Sequence, residues 1–579
     1  MSEGWIGSVS GMREEAREAI DTSAAVTPPI DPTGVPNLDL VLGGGLPRGA
    51  LVLVVGPPGS GKTTLANQMA FNAAREGRRA LILTALSEPT NKLVAHLRSF
   101  SFFDEELIGD SIQVLSLQQF LPGGLEATAD EVVTLARRNR ASFVMIDGFR
   151  GIRGADTNPQ AARQFLYDIG TALSVQGATT LITSEAQPRD ASLFPKATTA
   201  DVLIGLHYHL DGLRQRRMIE AIKARGAAPL GGLHSVALTS GGAVVYPRLE
   251  ARVARQGDDA AEPGAGNGDG DGDGDGDGDW RVPGDGPAGR APAPPSHGRQ
   301  PIAPAQTNRV LFGLPELDGL LGGGLTRETS TLVMGSLGTG KTLLALHLAA
   351  ATIEAGEPVA MLGFRENRRQ LTQAAEPFDL GARIHAGLAP GGGLTLLRRA
   401  PVELDADVVS DALIATLDRT GARTLIVDSI TELERAAARS GDAGRVDDYL
   451  AALIEALRVR GITSLFVKET RRLVAADIDV SADAIAVLAE NVLLLQQVTY
   501  RERLHRVLSV LKMRFSAHDM LLREFSIAPP AGIRVLAPFE SATGVLSGIA
   551  RQQGEPVPAM PAVPAVAGQD VPPSSVATL

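Results

Sequence analysis

Gly56-Pro57-Pro58-Gly59-Ser60-Gly61-Lys62-Thr63 follows the apolar run Leu51–Val55, and Gly335-Ser336-Leu337-Gly338-Thr339-Gly340-Lys341-Thr342 follows Leu332–Met334. Each octet is a glycine-rich loop between an apolar strand and the start of a helix, which is the P-loop pattern. The glycines let the backbone wrap a phosphate chain, and the loop amides join a helix N-terminus in binding it. Lys62 and Lys341 place a positive charge on the outer phosphates, and the hydroxyls of Thr63 and Thr342 suit a magnesium ion. The predicted ATP-binding residues are Gly56, Gly59, Ser60, Gly61, Lys62, Thr63 and Thr64 in the first loop. In the second they are Gly335, Gly338, Thr339, Gly340, Lys341, Thr342 and Leu343.

The two loops belong to a long internal repeat. Gly34-Val35-Pro36-Asn37-Leu38-Asp39 runs on to Leu42-Gly43-Gly44-Gly45-Leu46, and Gly313-Leu314-Pro315-Glu316-Leu317-Asp318 runs on to Leu321-Gly322-Gly323-Gly324-Leu325. The offset is 279 residues and still holds at Gly56 against Gly335 and Lys62 against Lys341. It drifts by a few residues further on, where Asp147 matches Asp428 and Lys223-Ala224-Arg225 matches Lys512-Met513-Arg514. The chain therefore divides into an extension over 1–28, a domain over 29–250, a linker over 251–306, a second domain over 307–530 and a C-terminal segment over 531–579.

Composition fits this division. With 44% hydrophobic and 21% charged residues over 579 positions, the chain reads as globular protein. It has no cysteine, so disulfides, thiolate metal sites and cysteine nucleophiles are excluded. No apolar run approaches the roughly 20 residues of a membrane span, and the N-terminus lacks a secretory signal, so a cytoplasmic location is expected. The net charge is −11, of which the stretch 251–306 carries −5, from ten acidic and five basic residues. That balance disfavours nucleic acid, whose binding relies on basic contacts to phosphate. Gly268 to Asp279 alternates Gly and Asp, a composition that predicts a flexible, self-repelling linker. A calcium loop is disfavoured there, because Trp280 stands where its terminal glutamate belongs. The Pro/Ala-rich tail is expected to be disordered from about Gly554.

Short apolar runs recur in both halves: Leu51–Val55, Ala80–Leu83, Phe143–Ile146 and Thr180–Thr183, then Thr331–Met334, Val359–Gly363, Thr424–Val427 and Ser464–Val467. Buried strands alternating with amphipathic segments predict an α/β fold, a mostly parallel central sheet with helices on both faces. Val202–Leu206 and Val492–Leu495, followed by polar–apolar alternation, predict added antiparallel strands. Asp147 and Asp428 close buried strands at matching repeat positions, where a carboxylate beside a P-loop would hold magnesium with Thr63 and Thr342.

In these landmarks the chain resembles the KaiC family of RecA-like ATPases across both repeats. The nearest stretch is Lys512-Met513-Arg514-Phe515-Ser516-Ala517-His518-Asp519, followed by Arg523-Glu524-Phe525. The resemblance implies two tandem RecA-like P-loop NTPase domains, ATP and magnesium as cofactors, and a homo-oligomeric, usually hexameric, ring with ATP between subunits. It also implies that Lys223 and Arg225 in one layer, and Lys512 and Arg514 in the other, reach the γ-phosphate held by a neighbouring subunit. A guanidinium supplied in trans stabilises charge developing in phosphoryl transfer.

Two departures qualify the resemblance. The family carries adjacent glutamates after the second strand, whereas here the pairs read Ser87-Glu88 and Arg365-Glu366. Glu88 and Glu366 are the remaining candidates for positioning the attacking water. The clock protein of the family has neighbouring hydroxyls where this chain has Ala486 and Val487, with Ser481 the nearest hydroxyl. The leading expectation is an ATPase acting as a nucleotide-dependent signalling or assembly switch with protein partners. A Ser/Thr autokinase of the circadian-clock type and a DNA-dependent RecA-like motor are the alternatives.

Overall fold

The structure is a computed structural model that describes residues 29–84, 90–118, 120–148, 159–188, 198–261, 308–439, 444–470, 483–500, 503–516, 518–519, 521–538, 542–543 and 551–552. The Gly-Asp segment, Glu88, Ser87, Ser481 and the tail from Gly554 lie outside these residues, as does the extension over 1–28.

Nine strands form the first domain's large sheet: β1 (Leu51–Gly56), β2 (Ala80–Thr84), β3 (Ile112–Ser116), β4 (Phe143–Asp147), β5 (Thr179–Glu185), β6 (Val202–Asp211), β7 (Arg214–Ala224), β8 (His234–Thr239) and β9 (Gly242–Tyr246). Nine more form the second: β10 (Ser330–Gly335), β11 (Val359–Gly363), β12 (Leu394–Arg398), β13 (Thr424–Asp428), β14 (Thr463–Glu469), β15 (Asn491–Tyr500), β16 (Arg503–Met513), β17 (Arg523–Ala528) and β18 (Gly532–Pro538). The first sheet runs β9-β8-β7-β6-β1-β5-β4-β2-β3 and the second repeats that order strand for strand. The six strands from β6 to β3 are parallel, and β7 to β9 are added antiparallel.

β1 is buried along its whole length because helices cover both faces of the sheet. Val52 and Val54 pack with Leu65, Met69 and Phe71 of helix α1 (Lys62–Arg75), whereas Leu51, Leu53 and Val55 pack with Leu166, Ile169 and Leu173 on the other side. Such a strand reads as an uninterrupted apolar run rather than an alternating one. Each fully buried Leu or Val contributes roughly 1.5–3 kcal/mol. The central strands are thus the most heavily buttressed part of each domain.

Two domain boundaries differ from the sequence expectation. The linker does not begin at 251, because Leu249–Ala261 forms helix α2. Leu249 and Val253, one turn apart, pack into the core of the second domain. Arg252 pairs with Asp411 at 3.2 Å, and Glu250 accepts from Arg445 at 2.7 Å. Arg445, at the start of a second-domain helix, also holds the buried carboxylate of Asp407 at 2.6 Å. The Gly/Asp run dominates the composition of this region and hides that short amphipathic helix. The second boundary lies beyond 530, since β18 completes the second sheet after a tight turn at Gly532.

β18 is tied to the core through His347 on helix α3 (Lys341–Glu354), whose Nε2 accepts from the Ile533 amide at 3.4 Å. Burial, assisted by the Arg383 guanidinium, pushes the His347 pKa from 6.5 down to about 4. The folded state therefore favours neutral His347, so its contribution is complete above the ordinary value and is lost as pH falls from 6.5 toward 4. At about 1.4 kcal/mol per unit, that loss reaches roughly 3 kcal/mol. Denaturant unfolding across this window should show the second domain weakening on acidification. His347→Gln, which keeps an acceptor but cannot titrate, should remove that part of the slope. An unchanged slope in the variant would assign the acid sensitivity elsewhere.

Candidate functional site

Each P-loop leaves the carboxyl end of a buried central strand and turns into a helix. Gly61 and Gly340 stand immediately before helices α1 and α3 with φ of 103° and 94°, a region that side-chain-bearing residues rarely adopt. A side chain at Gly340 would also strike Ile527, its Cβ falling 2.6 Å from the Cδ1 atom.

The lysines and threonines converge on each loop. Lys62 Nζ donates to the carbonyls of Gly56 and Pro57 at 3.0 and 2.9 Å, and Lys341 Nζ to those of Gly335 and Ser336 at 2.8 and 2.7 Å. Burial lowers the pKa of both lysines, against the pull of nearby carboxylates led by Glu185 in the first loop and Glu469 in the second. Thr63 Oγ1 donates to Asp147 at 3.0 Å, and Thr342 Oγ1 to Asp428 at 2.6 Å. Asp147 also accepts from Thr183 Oγ1 at 2.5 Å. Burial raises the pKa of Asp428, opposed first by its hydrogen bond from Thr342. A hydroxyl and a carboxylate held together beside a phosphate loop are hard oxygen donors of the kind magnesium takes. Thr63 with Asp147, and Thr342 with Asp428, fit that ion.

Around Lys341 lies a cavity of about 460 Å³ that also takes in Thr342, Leu343, Glu366 and Asp428. Three further charged lining residues were not singled out by the sequence, Glu432, Glu469 and Arg506, and Arg365, noted there only as a departure from the family pair, faces the cavity as a cation. Glu469 ends β14 directly opposite Gly335, as Glu185 ends β5 opposite Gly56. A carboxylate at matching strand ends was a readable repeat signal. Arg506 lies opposite Gln497 as Arg217 lies opposite Tyr208, so it too is duplicated.

The Lys-x-Arg pairs lie elsewhere. The Arg225 amide bonds to the carbonyl of Asp201, whose own amide bonds to that of Leu51, so Arg225 sits level with the start of β1. Gly56 is five residues further along, roughly 17 Å at 3.3 Å per residue. Lys223 Nζ donates to the carbonyls of Thr198 and Ala200, and Arg225 reaches Asp201 at 3.4 Å with its side chain 60% exposed. The second domain repeats the arrangement: the Arg514 amide bonds to Glu490, whose carboxylate accepts from Ser330 at the start of β10. Lys512 Nζ caps the carbonyls of Ala486, Val487 and Ala489. Desolvation and then the neighbouring arginine lower the pKa of both Lys223 and Lys512. The structure thus brings P-loop, threonine, aspartate and Glu366 together and leaves both Lys-x-Arg pairs at the other end of the sheet.

The family model of the KaiC ATPase matches residues 31–250 and 310–540, both repeats and most of the chain. This protein belongs to the KaiC ATPase family. Among its relatives, the circadian clock protein KaiC3 of Synechocystis sp. is 23% identical over 529 residues, covering 89% of this chain and 93% of that protein. The circadian clock oscillator protein KaiC of Thermostichus vulcanus is 22% identical over 528 residues, covering 89% and 91%. That of Synechococcus elongatus is 22% identical over 507 residues, covering 86% and 87%. Membership in the KaiC ATPase family supports nucleotide binding at both P-loops.

Removing either P-loop lysine should therefore silence one site. Lys62→Ala and Lys341→Ala should each lower bound ATP by one equivalent per chain, with affinity at the altered site falling about a hundredfold, some 3 kcal/mol. The double variant should bind none in equilibrium dialysis, and near-normal binding would contradict the assignment.

Proposed function

We propose that the protein hydrolyses ATP at both P-loops, between subunits of a hexameric ring, and acts as a nucleotide-dependent signalling or assembly switch. The observation that carries this reading is the separation of each Lys-x-Arg pair from its own P-loop. The pairs lie level with the amino ends of β1 and β10, whereas the loops leave the carboxyl ends. A cation so placed, with Arg225 largely exposed, serves a phosphate only if that phosphate belongs to another subunit.

Lys62 and Lys341 bind the outer phosphates, while the loop amides fix their orientation for attack. Magnesium, held by Thr63 and Asp147 or by Thr342 and Asp428, supplies positive charge to the same oxygens when bound. Glu366 lies in the second cavity, placed to orient a water by accepting its hydrogen bond. Arg225 and Arg514 stabilise charge on the transferring phosphoryl group of the adjacent subunit.

The relatives named for circadian clocks suggest a signalling context, but clock-type autophosphorylation is not part of this reading. Buried Ala486 and exposed Val487 occupy the hydroxyl positions, and neither can accept a phosphoryl group.

Mixing two inactive proteins tests the trans arrangement. Arg514→Ala chains and Lys341→Ala chains, both also carrying Lys62→Ala, should each be nearly inactive alone. Mixed rings contain interfaces with an intact P-loop on one side and an intact arginine on the other. Since a trans arginine is worth roughly 10³–10⁵ in rate, even a minority of repaired interfaces should raise phosphate release well above either parent. If subunits exchange, as shown by a labelled chain, and activity stays at parental level, Arg514 does not act in trans.

A further inference from the structure

The second cavity contains a cation that the Lys-x-Arg scheme does not use. Arg365 follows Phe364, whose fully buried ring and backbone bond to Asp428 anchor this stretch just past β11. Its guanidinium lines the cavity of Lys341, Thr342 and Asp428. Resting partners are weak: Nη2 stands 3.8 Å from Glu432 and 3.8 Å from Glu469, with the side chain 59% exposed. Long, exposed pairs hold little. Glu432 moreover has a closer partner in Arg435 at 3.2 Å, so releasing Arg365 does not leave it alone.

Charge in the cavity favours such a release. Glu366, Asp428, Glu432 and Glu469 face Lys341, Arg365 and Arg506, an excess of one negative charge before any phosphate enters. A triphosphate deepens that excess, and a planar guanidinium matches phosphate oxygens better than one carboxylate corner at 3.8 Å. The charge of Arg365 is already felt at both Lys341 and Asp428, the two groups that flank the outer phosphates. The first repeat has no counterpart: Ser87 stands in place of Arg365, and Gly151, four residues past Asp147, in place of Glu432. The arginine and Glu432 occur together in one site and have no match at the corresponding positions of the other, where only the second carboxylate, Glu185 for Glu469, is kept.

We infer that Arg365 is a γ-phosphate-binding residue supplied in cis, which moves from Glu432 and Glu469 to the nucleotide and makes the second site selective for ATP over ADP. The inference rests on the P-loop reading of that site. With ADP the guanidinium stays with the two carboxylates; with ATP it joins Lys341 on the terminal phosphate. The second site then retains ATP in preference to its product, while the first discriminates without this contact.

Binding to the full chain in the Lys62→Ala background, where only the second site is occupied, tests it by calorimetry with magnesium. The probes are the β,γ-imido analogue of ATP and ADP. Arg365→Ala should weaken the analogue by about tenfold or more and ADP by less than about twofold, as expected for one lost charge-assisted contact. Arg365→Lys should recover part of the preference. An analogue-to-ADP ratio unchanged by Arg365→Ala, whether both affinities hold or fall together, overturns the inference and leaves Arg365 a clamp on Glu432 and Glu469. If the Lys62→Ala parent binds neither nucleotide, the P-loop reading itself fails, an outcome distinct from the first.

Discussion

The parallel ladder that joins β1 to β5 and β6 sets the geometry of everything else in the first domain, and β10 with β14 and β15 does the same in the second. Because these strands run in one direction, their carboxyl ends gather at one edge, where the P-loop, the magnesium-type aspartate and Glu185 or Glu469 meet. The antiparallel return through β7 or β16 carries Lys-x-Arg back to the opposite edge. On the proposed reading, in which Lys-x-Arg serves a phosphate, a single chain cannot unite the two halves of the site and a neighbouring subunit has to supply the second.

The same ladder makes the two sites chemically unequal without changing the fold. Strand order is identical in both domains, yet the residues just past the strands differ: Ser87 and Gly151 in one, Arg365 and Glu432 in the other. Positions that follow the strand ends can change in charge while the core is kept, since β1 and β10 are fixed by packing on both faces. Duplication with drift at these positions yields one nucleotide site with Arg365 and one with Ser87 at the matching position. The domains are also joined through α2 and the Arg445 cluster with Glu250 and Asp407.

Much of this was legible in the sequence, for a physical reason. Strands buried on both faces are continuous apolar runs, so the central strands could be read from Leu51–Val55 or Thr424–Val427 alone. The edge strands β3 and β12 could not, because only one residue of each is buried and their pattern resembles an exposed loop. The P-loops were legible because phosphate binding demands a fixed local pattern. Glu432 was not, because nothing local marks it and only folding brings it to Lys341, while Glu469 and Arg506 are marked only by their matching positions in the repeat. α2 was hidden by the low-complexity segment that follows it, and β18 lies past the expected boundary at 530, after Pro529-Pro530.

The central claim is that catalysis belongs to assembled chains. Phosphate release per chain, followed through a dilution series alongside sedimentation velocity with ATP and magnesium, tests it most directly. The account predicts that turnover falls in step with loss of a species of about six chains and vanishes in the monomer. Constant turnover per chain down to fully dissociated protein would contradict it.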